Sequence, residues 1–338
     1  MLNTFLTLKS RLSSDIPQEV ITKALKDNSW FSEDTIVNSV KAICSTMLIE
    51  SELTKWVAPY NFTSTHNVGV IMAGNIPLVG FYDLLAVLIS GSTCYYKPSS
   101  KDKALIDWVV SEIKNINPKT PIYKLEDDSP LEAIIATGSD NSNRYFESRY
   151  GKLNSLYRGS RTSVAILTKN CTDQQINLLH NDIFTYCGLG CRNVSHLYIE
   201  QGFDIYRLLE SFKKRNINHK KYSNNYRFQK AEKVINKESF FDGGYFTLQE
   251  KEAKLGLLSE ITFSYFSNLA EVKAELTLND NKIQCIVTEL DDFHIRAVNF
   301  GKAQQPTLFD APDSKDVLKF LAELQNPNFK SNFKVENW

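Results

Sequence analysis

Four short stretches of the sequence carry side chains that are suited to chemistry. They are AGNIP with Asn75, YYKPSS with Lys97 and Ser99, ATGSD with Gly138 and Ser139, and GLGC with Cys191. A cysteine thiolate is a nucleophile that can carry an acyl group, and an amide can donate a hydrogen bond to negative charge on a carbonyl oxygen. A lysine or a helix start can bind a cofactor ribose or phosphate. Each stretch alone also fits a plain turn or strand end, so its meaning depends on the elements around it.

The spacing of apolar residues predicts the elements that would position these stretches. Residues 1–60 have apolar positions three and four residues apart, which predicts helices. Strand-like NVGVIMAG, STCYYKP and PLEAIIATGS then alternate with helical PLVGFYDLLAVLIS and KALIDWVVSEIKNI. From about residue 160, strand-like TSVAIL and NVSHLYI flank a second helical pattern. This alternation predicts two Rossmann-type parallel α/β domains after a helical N-terminal segment, with ligands bound at the carboxyl ends of the strands. Residues 217–245 show no clear pattern.

Composition limits the class of protein. The chain has 338 residues, 42% of them hydrophobic, and 39 basic residues balance 39 acidic ones. A net charge of zero gives no general attraction to nucleic acid, so no nucleic-acid partner is expected. No apolar run approaches the roughly 20 residues of a membrane span, and the start lacks the features of a signal peptide. We therefore predict a cytoplasmic protein without a membrane span.

The cysteines and histidines suggest neither disulfides nor a metal site. Six cysteines are scattered along the chain, and a large intracellular chain does not need disulfides. Cys187 and Cys191 form a C-x-x-x-C pair with no second pair near it. A structural zinc site would need four ligands, so we predict no metal.

The order of the four stretches is more specific than any one of them. GNIP, KPSS, ATGS, RTSVAIL and GLGC follow one another at spacings that resemble the aldehyde dehydrogenase superfamily. In that family a P-W-N-F-P turn supplies an oxyanion amide, K-P-S binds the adenosine ribose, G-S opens a helix near the pyrophosphate, and G-Q-x-C supplies the nucleophile. The resemblance implies an aldehyde-dehydrogenase-like fold, and it gives Cys187 no role beyond packing. The site residues that it implies are catalytic Asn75 and Cys191 and the cofactor-binding residues Lys97, Ser99, Gly138 and Ser139.

The departures from the family pattern indicate one branch. Hydrolytic members carry a glutamate in E-L-G-G-K, and Arg158 of YRGSRTSVAIL stands in about that place. A guanidinium cannot act as a general base, whereas release by a thiol needs no activated water. Stretches such as WFSEDTIVNSV, GNIPLVGFYDLLAVLISG and YSNNYRFQKA resemble the bacterial acyl-CoA reductases of the LuxC-like group. This resemblance implies an acyl-CoA substrate of the fatty acyl class, a nicotinamide cofactor, and a homo-oligomer such as a dimer or tetramer. The charge of Lys97 suits a 2′-phosphate, which favours NADPH and leaves NADH as the alternative.

Several points stay open in the sequence. Asn143 replaces the second glycine of the family's G-S-x-x-x-G element, and Arg192 either lowers the thiol pKa of Cys191 or faces solvent. Glu252 and Glu260 both lie near the place of the glutamate that holds the nicotinamide ribose. A reductase of another activated acyl group, such as an acyl phosphate, and an inactive scaffold subunit remain alternatives. The predicted organisation is a helical segment over 1–60, a cofactor-binding domain over 61–160, a catalytic domain over 161–310, and a C-terminal helix and tail over 311–338.

Overall fold

The computed structural model describes residues 1–251, 257–324 and 332–333, and the chain forms two compact units. Unit 1 contains Met1–Ser160 together with the described residues from Pro306 onward. Unit 2 contains Arg161–Gln305. Unit 2 is therefore an insertion in the chain of unit 1.

Four helices occupy the first 60 residues, as the apolar spacing predicts. They are α1 (Leu2–Leu12), α2 (Gln18–Asp27), α3 (Glu33–Thr46) and α4 (Glu50–Val57). Ser32 caps α3 through a capping box with Thr35, which satisfies backbone N–H groups that the first turn leaves without partners. The apolar faces of these helices are buried in the same core as the helices that cover the sheet of unit 1.

Five parallel strands form most of the sheet of unit 1. The elements are β1 (Asn67–Ile71), α5 (Phe81–Ile89), β2 (Thr93–Lys97), α6 (Lys103–Ile116), β3 (Ile122–Lys124), β4 (Ala133–Thr137), α7 (Asp140–Tyr150) and β5 (Asn154–Arg158). Their order across the sheet is β5-β4-β1-β2-β3. The chain runs from β1 to β3 on one side and returns to β4 and β5 on the other. The order reverses between β1 and β4, which is where open α/β sheets bind ligands.

Unit 2 has a second sheet with the same kind of crossover. Its elements are β6 (Thr162–Leu167), α8 (Asp173–Phe184), β7 (Val194–Glu200), α9 (Ile205–Lys213), α10 (Lys220–Ile235), β8 (Phe241–Asp242), β9 (Thr247–Glu250), β10 (Glu260–Phe266), α11 (Leu269–Leu278), β11 (Ile283–Val287) and β12 (Ala297–Val298). The strand order is β12-β11-β6-β7-β10-β9-β8, parallel except for the pair β8 and β9. β6 is buried at every position, as expected for the centre of a parallel sheet.

The chain then returns to unit 1 with α12 (Val317–Glu323) and β13 (Asn332–Phe333). β13 pairs in parallel with β5 and extends that sheet. The rest of the predicted tail, at 325–331 and 334–338, lies outside the described residues. No described helix combines the length and the apolar character that a bilayer span requires.

Candidate active site

The turn that carries Asn75 follows β1 at the reversal point of the sheet of unit 1. Asn75 is exposed, whereas Gly74 before it and Leu78 after it are buried. The end of β1 is held beside the end of β2, because the N–H of Met72 donates to the carbonyl oxygen of Lys97 at 3.0 Å. The structure therefore places an exposed amide next to the strand end that carries Lys97.

Buried polar side chains hold this turn from two directions. The Nδ2 group of Asn28, which follows α2, donates to the carbonyl oxygen of Gly74 at 3.1 Å. The carboxylate of Asp102 accepts a hydrogen bond from the N–H of Leu78 at 2.9 Å. Leu78 has φ of 57°, in the left-handed region that is costly for a leucine. The turn thus has a strained backbone that its surroundings keep in place.

Lys97 and Ser99 lie at the end of β2 and in the loop that follows it. Lys97 is exposed, and Ser99 is half-buried. The Oγ atom of Ser99 accepts a hydrogen bond from the N–H of Lys101, and its carbonyl oxygen accepts one from the N–H of Asp102. The loop is therefore a tight turn that presents one exposed lysine at the carboxyl ends of the strands.

Gly138 and Ser139 form the start of α7 at the end of β4. Ser139 caps the helix by accepting a hydrogen bond from the N–H of Ser142. A Cβ atom on Gly138 would lie 2.8 Å from the Cβ atom of Ser142, so only glycine fits there. Asn143, in place of the family's second glycine, is buried and donates to the carbonyl oxygen of Arg158 at 3.0 Å. The departure at Asn143 thus ties α7 to the end of β5.

Cys191 belongs to unit 2 and precedes β7. It therefore lies at the amino ends of the strands of that sheet. The sequence led us to expect ligands at the carboxyl ends instead. Its carbonyl oxygen accepts a hydrogen bond from the hydroxyl of Ser163, near the start of β6, at 2.8 Å. Among the six cysteines, all within the described part of the chain, Cys191 alone is exposed. Cys191 is the thiol that a substrate can reach.

The turn before Cys191 has a strained backbone. Tyr186, Cys187 and Gly188 have φ of 58°, 55° and 75°, so three consecutive residues adopt the left-handed conformation. Only glycine adopts it without a steric penalty. Cys187 is buried, and burial raises the pKa of its thiol to about 11. A thiol that is buried and protonated at neutral pH is not a nucleophile, which fits the packing role expected for Cys187.

Asn193, which is buried, joins the two ends of this turn. Its Nδ2 group donates to the carbonyl oxygens of Thr185 at 2.6 Å, Ile183 at 2.9 Å and Asp182 at 3.3 Å. Its Oδ1 atom accepts a hydrogen bond from the N–H of Gly190 at 2.8 Å. The side chain therefore ties the end of α8 to the residue immediately before Cys191.

Asp182 and Arg192 connect the same turn to the loop after β12. The buried carboxylate of Asp182 accepts hydrogen bonds from the N–H groups of Gly301 at 2.6 Å and Ala303 at 2.9 Å. Burial raises the pKa of Asp182 to about 6. Arg192 donates from Nε to the carbonyl oxygen of Ala303 at 2.5 Å and from Nη2 to the Sγ atom of Cys285. Arg192 is thus held by contacts in this loop and on β11 rather than directed into solvent.

Arg158 ends β5 with its guanidinium buried. Its Nη1 atom lies 2.5 Å from the Oδ2 atom of Asp83 on α5, and both side chains are less than a tenth exposed. The Nε and Nη2 atoms of Arg158 have no hydrogen-bond partner among the described residues. Asp83 raises the pKa of Arg158, which keeps the guanidinium charged. No base therefore stands at this position.

The structure describes one of the two glutamates that the sequence left as candidates for ribose binding. Glu252 lies outside the described residues. Glu260 starts β10, and its carboxylate is buried against Lys233 of α10 at 2.5 Å and Lys251 at 3.0 Å. These lysines and the N–H of Leu257 lower the pKa of Glu260. Glu260 is thus engaged in a buried ion-pair cluster of unit 2.

The structure brings five of the six predicted site residues together at the carboxyl ends of β1, β2 and β4 in unit 1, and it places Cys191 in unit 2. The sequence reasoning missed four buried polar residues that shape the turns, namely Asn28, Asp102, Asp182 and Asn193. Two of these residues could have been found by their nearness in the sequence. Asp102 and Asn193 each lie within three residues of a candidate residue. The described residues contain no group of three or more His, Cys, Asp or Glu side chains arranged to hold a metal ion.

The fold is aldehyde-dehydrogenase-like, because solved structures of aldehyde dehydrogenases match between 84% and 96% of the chain. One is aldehyde dehydrogenase 21 from Physcomitrella patens in complex with succinate, with a TM-score of 0.68 and 14% identity over 96% of this chain and 82% of that one. Another is succinic semialdehyde dehydrogenase from Streptococcus pyogenes in complex with NADP+, with a TM-score of 0.64 and 12% identity over 84% and 75% of the two chains. A lactaldehyde dehydrogenase gives a TM-score of 0.61 and 11% identity over 86% and 74%. No protein-family model matches the sequence, and no curated protein matches it significantly.

Proposed function

We propose that this protein is an NAD(P)H-dependent acyl-CoA reductase that converts an acyl-CoA of the fatty acyl class to the aldehyde and free CoA. The fold supports redox chemistry of the aldehyde dehydrogenase type, and the order of the motifs resembles that superfamily. The stretches around the motifs resemble the LuxC-like acyl-CoA reductases. Cys191 is exposed at the end of a strained turn, which suits a nucleophile.

Cys191 performs the acyl transfer. Its thiolate attacks the carbonyl carbon of the thioester, the carbon–sulfur bond to CoA breaks, and CoA leaves as a thiolate that takes up a proton. The acyl group remains on Cys191 as a new thioester. The amide of Asn75 and the backbone N–H of Cys191 stabilise the oxyanion, and removal of one such donor costs about 3–4 kcal/mol in well-studied sites.

The end of the sheet in unit 1 fits a nicotinamide dinucleotide. Ser139 and the first N–H groups of α7 suit a pyrophosphate at the reversal point. Lys97 and Ser99, beside them on β2, suit the adenosine ribose, and the exposed cation of Lys97 favours a 2′-phosphate and hence NADPH. The match to an NADP+ complex of similar fold supports this choice. When bound, the cofactor supplies the hydride that reduces the acyl group on Cys191 to a thiohemiacetal, which then releases the aldehyde and the thiol.

The observation that carries the choice of acyl-CoA over hydrolytic chemistry is the buried pair of Arg158 and Asp83. In hydrolytic relatives, the resemblance places a glutamate base at the position of Arg158. A charged guanidinium held against a carboxylate cannot take a proton from water. A thiol leaving group needs no such base, so the chain retains what acyl transfer to and from CoA requires.

The test is oxidation of NADPH, and separately of NADH, by the purified protein with acyl-CoAs from acetyl to palmitoyl. We expect equal amounts of aldehyde and free CoA to form, faster with long chains, and no turnover by Cys191→Ala. Turnover of an acyl phosphate but of no acyl-CoA would show that the substrate is an acyl phosphate instead. Failure to bind either cofactor would overturn the proposal in favour of an inactive scaffold subunit.

A further inference from the structure

The turn that carries Asn75 packs directly against the loop that carries Ser99. A Cβ atom on Gly74 would lie 2.6 Å from the Cβ atom of Ser99 and 3.2 Å from that of Asp102. Such distances leave room for no side chain at position 74. The two segments therefore contact each other through backbone and Cβ atoms. Because they are closely packed, a displacement of one segment would also displace the other.

Asp102 is the polar link between these segments. It is 1% exposed, and its Oδ2 atom accepts the hydrogen bond from the N–H of Leu78 at 2.9 Å. Its own N–H donates to the carbonyl oxygen of Ser99 at 3.1 Å, so it belongs to the same tight loop as Ser99. Burial raises the pKa of Asp102 well above its usual range, and its Oδ1 atom has no hydrogen-bond partner among the described residues. The burial of the Asp102 carboxyl group is energetically costly, and its one identified hydrogen bond is with the N–H of Leu78 in the turn of Asn75.

The bond to Leu78 acts where the turn is strained. Leu78 has φ of 57°, and its side chain is buried. A leucine stays in this conformation only when its surroundings impose it. Asn28 holds the opposite end of the turn through the carbonyl oxygen of Gly74. Asn75 thus lies between two peptide groups that buried side chains hold in place.

We propose that Asp102 is a positioning residue that holds the amide of Asn75 in the direction needed to stabilise the oxyanion on the acyl group. This inference rests on the proposed function. Asp102 acts through the N–H of Leu78 and does not contact the substrate. Its loss lets the turn relax from the left-handed conformation, so Asn75 remains present but points in many directions.

The experiment measures the rate of acylation in single turnover, as CoA released from an acyl-CoA without NADPH, per Cys191 thiol titrated with iodoacetamide. Asn75→Ala should slow acylation about a hundredfold or more, and Asp102→Ala at least tenfold. The double variant should acylate no more slowly than Asn75→Ala, because both changes remove the same interaction. Asp102→Asn keeps an oxygen for Leu78 and should recover most of the rate.

The matched control is Asp107→Ala, which removes a carboxylate within α6, whereas Asp102 immediately precedes that helix. Asp107 pairs with Lys103 and Lys124 and accepts a hydrogen bond from Tyr96, away from the turn. It should leave the acylation rate within twofold of the wild type. Circular dichroism and urea denaturation report whether each variant is folded. Acylation by Asp102→Ala at the wild-type rate, or effects of Asn75→Ala and Asp102→Ala that multiply, would overturn the inference.

Failure of the proposed function has a different signature. If the wild-type protein releases CoA from no acyl-CoA, the substrate assignment is wrong, whatever Asp102 does. Hydrogen exchange then decides the inference by itself. The amides of residues 73–80 should exchange at least tenfold faster in Asp102→Ala than in Asp107→Ala, and equal rates would show that Asp102 does not hold the turn.

Discussion

At the scale of single residues, burial separates the thiols and charges that can react from those that cannot. Cys191 is exposed, whereas Cys187, four residues earlier, is buried with its thiol pKa raised to about 11. Arg158 has its charge buried against Asp83, so its effect is on stability rather than on proton transfer. Substitutions at the two cysteines and at Arg158 should therefore differ in their effects on activity and on stability.

Substitution of the two cysteines should have very different effects. Cys191→Ala should abolish the acyl-enzyme and lower turnover by at least a thousandfold, because no other exposed cysteine replaces it. Cys187→Ala should keep turnover within about threefold and cost about 1 kcal/mol of unfolding free energy. Intact-protein mass spectrometry after incubation with acyl-CoA measures the adduct. An adduct on Cys191→Ala would show that another group is the nucleophile.

Arg158→Glu should not create a hydrolytic enzyme. The new carboxylate would be buried against Asp83 without its cation, which should lower the unfolding free energy by about 3–5 kcal/mol. Urea denaturation and assay of acid formed from an aldehyde measure the two effects. The control, Arg158→Met combined with Asp83→Leu, removes both charges and should be more stable than Arg158→Glu. A stable Arg158→Glu variant that produces acid would contradict this prediction.

Asp182 should make stability fall as pH rises through the weakly acidic range. Its pKa is raised from 3.8 to about 6 in the folded protein, so between pH 4 and 6 the folded state keeps a proton that the unfolded state releases. Its contribution is therefore fully present below about pH 4 and is lost as pH passes 6, by up to about 3 kcal/mol. Urea denaturation from pH 4 to 7 should show this decrease in the wild type relative to Asp182→Asn. Equal pH profiles would contradict it, and exposed Asp34→Asn is the control.

At the scale of elements, the turn between α8 and β7 presents Cys191 at the cost of strain. Tyr186 and Cys187 have left-handed backbones, which cost about 1–2 kcal/mol each. Asn193 offsets this strain by bonding the carbonyl oxygens at the end of α8 and the N–H of Gly190. The position of Cys191 therefore depends on a side chain two residues away from it.

Asn193→Ala should loosen this turn while leaving the rest of unit 2 folded. Loss of its hydrogen bonds at buried backbone groups should cost about 2–4 kcal/mol, and acylation should slow at least tenfold because Cys191 is no longer held in one place. Asn193→Asp keeps the acceptor oxygen but loses the N–H donors, so it should acylate no faster than Asn193→Ala. Exposed Asn38→Ala on α3 is the control. Acylation of Asn193→Ala at the wild-type rate would show that the turn holds itself.

The sequence predicts an element well where burial follows an apolar pattern. α10 was not predicted because its buried face carries Tyr222, Tyr226, Gln229 and Lys233, which fit helical spacing but are largely polar. β5 was missed because NSLYR is short and ends in an arginine whose burial depends on Asp83 from a distant helix. The roles of Asp102 and Asn193 escaped because their partners are backbone groups, which have no signature in the sequence. The five candidate residues of unit 1 do lie after the ends of predicted strands or at those ends, because there the motifs and the apolar pattern agree.

At the scale of the whole molecule, each unit has its own sheet, and unit 1 is built from two separate parts of the chain. α12 contributes Val317, Leu318, Phe320 and Leu321 to the core that also contains the N-terminal helices. These side chains are almost fully buried, so the core of unit 1 is incomplete without α12.

Phe320→Ala should therefore destabilise unit 1, although position 320 follows unit 2 in the chain. Loss of a buried phenylalanine costs about 3–5 kcal/mol. Hydrogen exchange should quicken in β1 and β4 of unit 1 more than in β6 and β7 of unit 2. The control is Lys319→Ala, which changes an exposed residue of the same helix. Equal acceleration in both units would show that they unfold together.

The insertion of unit 2 also affects how the chain is made. Domains generally fold as units during synthesis, which adds about 5–20 residues each second. Unit 2 is complete once Gln305 has emerged from the ribosome, but β1 to β5 of unit 1, finished at Arg158, still lack α12 and β13. For on the order of ten seconds, the nearly complete sheet of unit 1 has part of its apolar core open to water. In that interval a chaperone that binds exposed apolar surface would find its target in the first half of the nascent chain.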